Sequence, residues 1–180
     1  MRVVSACVPF PHASRTHALA APLSAVSPIH PGLSAMPSST AFSPPSLLII
    51  GTGGTIAGVA PSAGNTAGYQ AGALPIGQIL DSVPGLSTLV PEGRLATEQV
   101  FSIPSEQMDS AHWLQLLARV RAWQSASRAA DAIVITHGTD TLEETAFFLS
   151  LVLPPDRPVI LTGAMRPATA LSADGPANLY

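Results

Sequence analysis

Three short segments of this sequence carry side chains able to do chemistry. The first is Gly51-Thr52-Gly53-Gly54-Thr55-Ile56-Ala57-Gly58, in which hydroxyls and glycines follow directly on an apolar run. Glycines let the backbone approach a ligand and expose its N–H groups, so a hydroxyl there can serve as a nucleophile flanked by oxyanion donors. A phosphate-binding loop is the rival reading of such a turn. The dinucleotide fingerprint fails because Ile56 stands where its third glycine belongs, and the Gly-Lys-Ser/Thr ending of a P-loop is missing. The second segment is Thr136-His137-Gly138-Thr139-Asp140-Thr141. Asp140 can hold an ammonium group and Thr139 can position a water or stabilise charge, with N-capping the alternative for Asp140. His137 is a candidate general base, although a lone histidine at a strand end is more often structural. The third, Ser105-Glu106 after Pro104, reads on its own as a helix cap.

Short β-rich apolar runs alternate with longer helical ones from Ser46 onward, which predicts an α/β domain: a mostly parallel sheet flanked by helices. Strands are expected at Leu47 to Ile50, Ala96 to Ser102, Ala132 to Ile135 and Val159 to Leu161. The third of these is uniformly apolar, as a strand covered on both faces should be. Ile76, Ile79, Leu80 and Val83 fit one face of a short helix ended by Pro84-Gly85. From Asp109 to Ser125, Trp113, Leu116, Leu117, Val120 and Trp123 recur three and four apart, which predicts a helix burying both indoles with Arg119 and Arg121 towards solvent. Thr141 and Glu144 read as a capping box opening a helix that Pro154-Pro155 ends. Another helix starts near Asp174-Gly175-Pro176. Between the first glycine-rich turn and Gly72 lies a long stretch with few apolar anchors, read as a mobile and functional loop. On this arrangement two polar clusters stand at equivalent ends of two parallel strands and face one crevice, where such sheets bind ligands.

Composition narrows the classes. The 180 residues are 47% hydrophobic with net charge −3, enough apolar material for one core. All eight cationic residues are arginines, scattered along the chain, which argues against a nucleic-acid groove. No apolar run reaches membrane-spanning length. The single cysteine, Cys7, excludes an internal disulfide, no spacing suggests a metal site, and no motif calls for a cofactor. Residues 1–45, with Pro9, Pro11, Pro22, Pro28, Pro31 and Pro37, read as a Pro/Ser/Ala-rich disordered tail or processed segment. Early prolines interrupt what resembles a secretory signal, so the cytoplasm is the expected compartment and the periplasm the alternative.

Taken together, GTGGTIAG, ITHGTDTLEET and LTGAMRPATALSADGPANLY resemble the signature regions of bacterial-type L-asparaginases, a similarity running from about Leu47 to Tyr180. The resemblance implies an asparaginase N-terminal α/β domain over residues 46–180, incomplete, with the family's smaller C-terminal domain outside this chain. It also implies an amidohydrolase that releases ammonia from L-asparagine, with L-glutamine a second candidate substrate, working as a homotetramer. Thr55 resembles the nucleophilic threonine, and Tyr69 the lid tyrosine that helps activate it. Ser105 and Glu106 match positions that grip the substrate's α-carboxylate and α-ammonium. Thr139 and Asp140 match the family's second threonine and its aspartate, Asp140 also meeting the ammonium. Gly54 and Gly138 are carried over as substrate-binding positions, and Ala164 resembles the residue whose backbone meets the side-chain amide. One departure stands out: the family's second catalytic group includes a lysine, and this sequence has none. The isolated chain is therefore expected to be weakly active or inactive, with a non-catalytic amino-acid-binding fragment as the alternative.

Overall fold

The computed structural model describes residues 46–126 and 130–180. The expectations for residues 1–45, Cys7 included, lie outside the described residues. Four strands form one parallel sheet: β1 (Leu47–Gly53), β2 (Leu95–Ile103), β3 (Ala132–Thr136) and β4 (Val159–Thr162), in the order β2-β1-β3-β4. The α/β class and the parallel sheet match the sequence reading. Among the described residues, five helices accompany the sheet: α1 (Ile76–Asp81), α2 (Leu86–Leu89), α3 (Ser110–Gln124), α4 (Leu142–Val152) and α5 (Gly175–Leu179). Of these, α2 has no counterpart in the sequence reading, being a single turn after Pro84-Gly85 without an apolar period.

Residues alternating along the strands feed two cores, because successive side chains point to opposite faces. Leu48, Ile50, Ile133, Ile135, Val159 and Leu161 meet Leu116 and Val120 of α3 and Leu149 of α4 on one face. Ile49 meets Ile56, Ile79, Leu80 and Ala164 on the other, with Val134 packed alongside. The two tryptophans of α3 are only half-buried. Each keeps its ring N–H at the edge of the core, where Trp113 donates to Thr145 and Trp123 to Glu98. An indole N–H needs such a partner when its ring is taken from water, so the expected full burial gives way to satisfaction of the donor.

Two details of strand pairing prepare the site. Between Gly51 and Gly53 the register against β2 slips from Gly51 opposite Gln99 to Gly53 opposite Ile103, so β2 carries two extra residues. At the same end of the sheet, the buried Thr52 hydroxyl donates to Thr136 O at 2.8 Å, tying β1 to β3. Because β1 is followed by β2 on one side and β3 lies on the other, the chain reverses direction across the sheet at the β1–β3 junction. Crevices outside the carboxyl ends of strands form at such switch points.

Candidate active site

The carboxyl ends of β1, β2 and β3 each run into a short 3-10 turn, at Thr55–Ala57, Ser105–Gln107 and Thr139–Thr141. All three polar segments singled out from sequence are thus delivered to one end of the sheet.

At the end of β1, Gly53 and Gly54 have φ of 104° and 78°, values that disfavour any side chain. They turn the backbone so that Thr55 sits 9% exposed, its hydroxyl 2.7 Å from the Tyr69 hydroxyl. Tyr69 comes from the loop between this turn and α1. That loop is pinned at its base: Val59 and Gln70 exchange a pair of 2.9 Å backbone bonds, and Gly72 N–H donates to Gly54 O at 3.0 Å. Gly54 N–H, in a position carried over as substrate-binding, is given to Ile103 O at 2.9 Å. The close approach of β2 past its register slip takes that donor out of service.

From β2 and β3 come the charged groups. Ser105, 3% exposed, donates its hydroxyl to Asp140 Oδ2 at 3.2 Å and accepts the Asp140 N–H at 3.1 Å. Thr141 donates its hydroxyl to Ser105 O at 3.0 Å. Two expectations are corrected by this geometry. Thr141 stands at the N-cap of α4 but makes no side-chain cap bond, so the predicted capping box does not form. Asp140 does not cap either; its carboxylate is turned to Ser105, a partner 35 residues away that no local pattern signals. Nor does Ser105 cap its own turn, its oxygen being committed to the loop after β3.

These groups enclose a cavity of about 410 Å³. Six predicted site residues line it: Gly54, Thr55, Tyr69, Ser105, Glu106 and Asp140. Ala71 and Pro104 complete the lining and were not singled out from sequence; their only signal is adjacency to Tyr69 and Ser105. The other three stand behind the wall. Gly138 is buried against Gly54, Thr139 is half-buried beside Gly163, and Ala164, 2% exposed, packs into the core with Ile56. A larger groove of about 660 Å³ lies between α1, α2 and β2, but its lining is mostly apolar around Leu80, Leu86 and Leu95. Volume alone does not mark a reaction site; convergent polar groups do.

His137 is 1% exposed and does not reach the cavity lining. Its Nδ1 lies 2.8 Å from Gly138 O and its Nε2 3.1 Å from Thr145 Oγ1, which itself accepts from Trp113 Nε1 at 2.9 Å. A carbonyl can only accept, so Nδ1 carries the hydrogen and Nε2 accepts from Thr145. Every member of the chain is satisfied by a neutral ring. Burial pushes the imidazole below its ordinary range, outweighing the Gly138 carbonyl and the Glu144 carboxylate. The structural reading of His137 therefore prevails over the general-base reading.

Chemically, the cavity brings together a paired hydroxyl and two carboxylates, Glu106 and Asp140, with no cationic side chain in its lining. Such a site suits a small ligand carrying an ammonium group.

Comparison with known proteins gives the family and supports the fold. The family model described as "Asparaginase, N-terminal" matches residues 46–180. The glutaminase-asparaginase of Pseudomonas fluorescens biotype A is 52% identical over 134 residues, 74% of this chain and 36% of that protein. The probable periplasmic L-asparaginase of Haemophilus influenzae is 46% identical over 136 residues, 76% of this chain and 37% of that protein. A crystal structure of the probable cytoplasmic L-asparaginase from Campylobacter jejuni superposes with a TM-score of 0.70 at 46% identity, covering 76% of this chain and 40% of that one. The chain thus spans a little over a third of the length of the curated relatives it matches. These relatives include both a periplasmic and a cytoplasmic protein, and no helix among the described residues is long and apolar enough to cross a membrane. On its sequence, its sheet and the match of residues 46–180, this chain belongs to the asparaginase family.

Proposed function

We propose that this chain carries the nucleophile half of an amidohydrolase acting on L-asparagine, with L-glutamine a second candidate, and that Thr55 is the nucleophile. The observation that carries the reading is the 2.7 Å contact between the Thr55 and Tyr69 hydroxyls at the wall of a cavity that Glu106 and Asp140 also line. In this reading the Thr55 oxygen attacks the carboxamide carbon while its proton passes to the Tyr69 oxygen, which gives up its own hydroxyl proton to the carboxamide nitrogen in exchange. The carbon–nitrogen bond then breaks, ammonia leaves with that proton, and water hydrolyses the ester to free Thr55 and the acid. Asp140 and Glu106 hold the substrate's ammonium, and Ser105, kept in place by the Asp140 N–H, turns its hydroxyl hydrogen from Asp140 Oδ2 to the α-carboxylate. Gly138 backs the cavity wall, its backbone against Gly54.

General acid–base help for a hydroxyl nucleophile is worth roughly 10²–10⁴ in rate. The resemblance assigns part of that help to a lysine, and this sequence contains none. A second reading, amino-acid binding without turnover, draws on that absence. Calorimetric titration of the purified chain with L-aspartate, run beside an ammonia-release assay with L-asparagine, tests both. Binding with little or no ammonia is the expected result for 180 residues without lysine, and turnover abolished by Thr55→Ala would establish the full activity. A chain that neither binds aspartate nor releases ammonia would end both readings.

The relatives' names span two compartments, and we place this protein in the cytoplasm or the periplasm accordingly. The complete enzyme is proposed to be a homotetramer.

A further inference from the structure

Between β4 and α5 the chain makes a loop that takes no part in the cavity lining yet touches the segment that carries Tyr69. Ala60 N–H donates to Thr169 Oγ1 at 2.9 Å, and Leu171 N–H donates to Ala63 O at 3.0 Å. Just before these two bonds along both segments lies a packing contact. A Cβ on Gly58 would stand 2.8 Å from Tyr69 Cδ2 and 3.1 Å from Pro167 Cβ, so the bare Gly58 lets the tyrosine ring and the buried Pro167 close over the same spot. The bracing loop is itself held: Asp174 accepts the N–H groups of Met165 at 2.9 Å and Arg166 at 3.0 Å, and Asn178 donates to Gly163 O at 2.9 Å. The Tyr69 segment is therefore fastened on two sides, by its own hairpin at Val59 and Gln70 and by residues more than 100 positions later.

We propose that Thr169 is a positioning residue for Tyr69: its hydroxyl fixes Ala60 and, through the Val59–Gln70 pair next to it, sets the tyrosine oxygen against Thr55. Ala60 neighbours Val59, and Gln70 neighbours Tyr69, so releasing one strand of this two-residue hairpin loosens the other. The role in positioning rests on the proposed reading of Thr55 and Tyr69; the fastening itself does not.

The test is backbone hydrogen exchange on the full chain with Thr169→Val, which keeps shape but removes the acceptor, and Thr169→Ser, which restores it. A lost hydrogen bond of about 1 kcal/mol should speed exchange at Ala60 and Gln70 about fivefold, with Ile133 to Ile135 unchanged and the serine variant like the parent. L-aspartate should bind the valine variant more weakly and the serine variant normally. If Thr169→Val does not fold, Thr169→Ala removes the same acceptor. Unchanged exchange at Ala60 and Gln70 overturns the fastening. Faster exchange with aspartate affinity equal in all variants overturns the positioning role. Failure of the parent chain to bind aspartate would sink the functional reading instead, and exchange would still decide the fastening.

Discussion

Gly54 and Gly138 meet backbone to backbone: a Cβ placed on Gly54 would stand 2.3 Å from Gly138 Cα and 2.4 Å from Gly138 N. This contact lets the turns after β1 and β3 share one wall, and it admits no side chain on Gly54. Gly54→Ala combines a left-handed φ of 78° with a backbone collision. It should cost more than about 2 kcal/mol, or prevent folding, which thermal denaturation will read. Gly138→Ala would push its methyl to 2.4 Å from Ser105 Oγ, so a milder loss of stability should accompany a marked loss of aspartate binding.

The Ser105–Asp140 pair should govern affinity. Asp140→Asn removes a carboxylate that faces the cavity and accepts from Ser105. Loss of one charge-assisted contact, about 1.5–3 kcal/mol, predicts aspartate binding weaker by roughly tenfold or more with little change in unfolding temperature. Equal calorimetric affinity in parent and variant would contradict the assignment.

His137 makes stability acid-sensitive. Its folded value lies below the ordinary 6.5 through burial, so the unfolded chain takes up a proton first as the pH falls. The sign follows: this contribution is complete above about pH 6.5 and declines as the pH drops towards the folded value. Denaturation between pH 7.5 and 5 should show a steeper loss in the parent than in His137→Gln, whose side chain cannot titrate.

Glu98 ties the edge strand to α3. Arg119, which donates a hydrogen bond to it, holds its carboxyl below the usual range against the opposing cost of burial, and Trp123 adds a second donor. Glu98→Gln should destabilise by about 1 kcal/mol at neutral pH. Because the folded value is depressed, the deficit should shrink as acid protonates the parent carboxylate, and melting curves at pH 7 and pH 3 would reveal it.

Local chemistry made much of this architecture readable in advance. The strand at Ala132–Thr136 and the helix at Ser110–Gln124 follow from an apolar run and a period of three to four, and both stand within a residue of their expected limits. Asp109 caps α3 through a bond to His112 N–H at 2.9 Å, another local event. What escaped sequence inspection was made by partners far apart in the chain. The Thr141 hydroxyl chose Ser105 O over its own helix, and Gly54 N–H was consumed by Ile103 O, because tertiary approach supplied acceptors that no window of neighbouring residues contains. The same holds for Thr169 against Ala60.

The register slip in β1–β2 pairing has a geometric corollary. The two surplus residues are taken up between Gln99 and Ile103, so Ile103 stands abreast of Gly53, where an unbroken ladder would set Phe101. That slack keeps Pro104, Ser105 and Glu106 level with the turn that carries Thr55, and all four line one cavity. Straightening the ladder without shortening the chain would carry Ser105 and Glu106 two residues, roughly 6–7 Å, past the Thr55 hydroxyl.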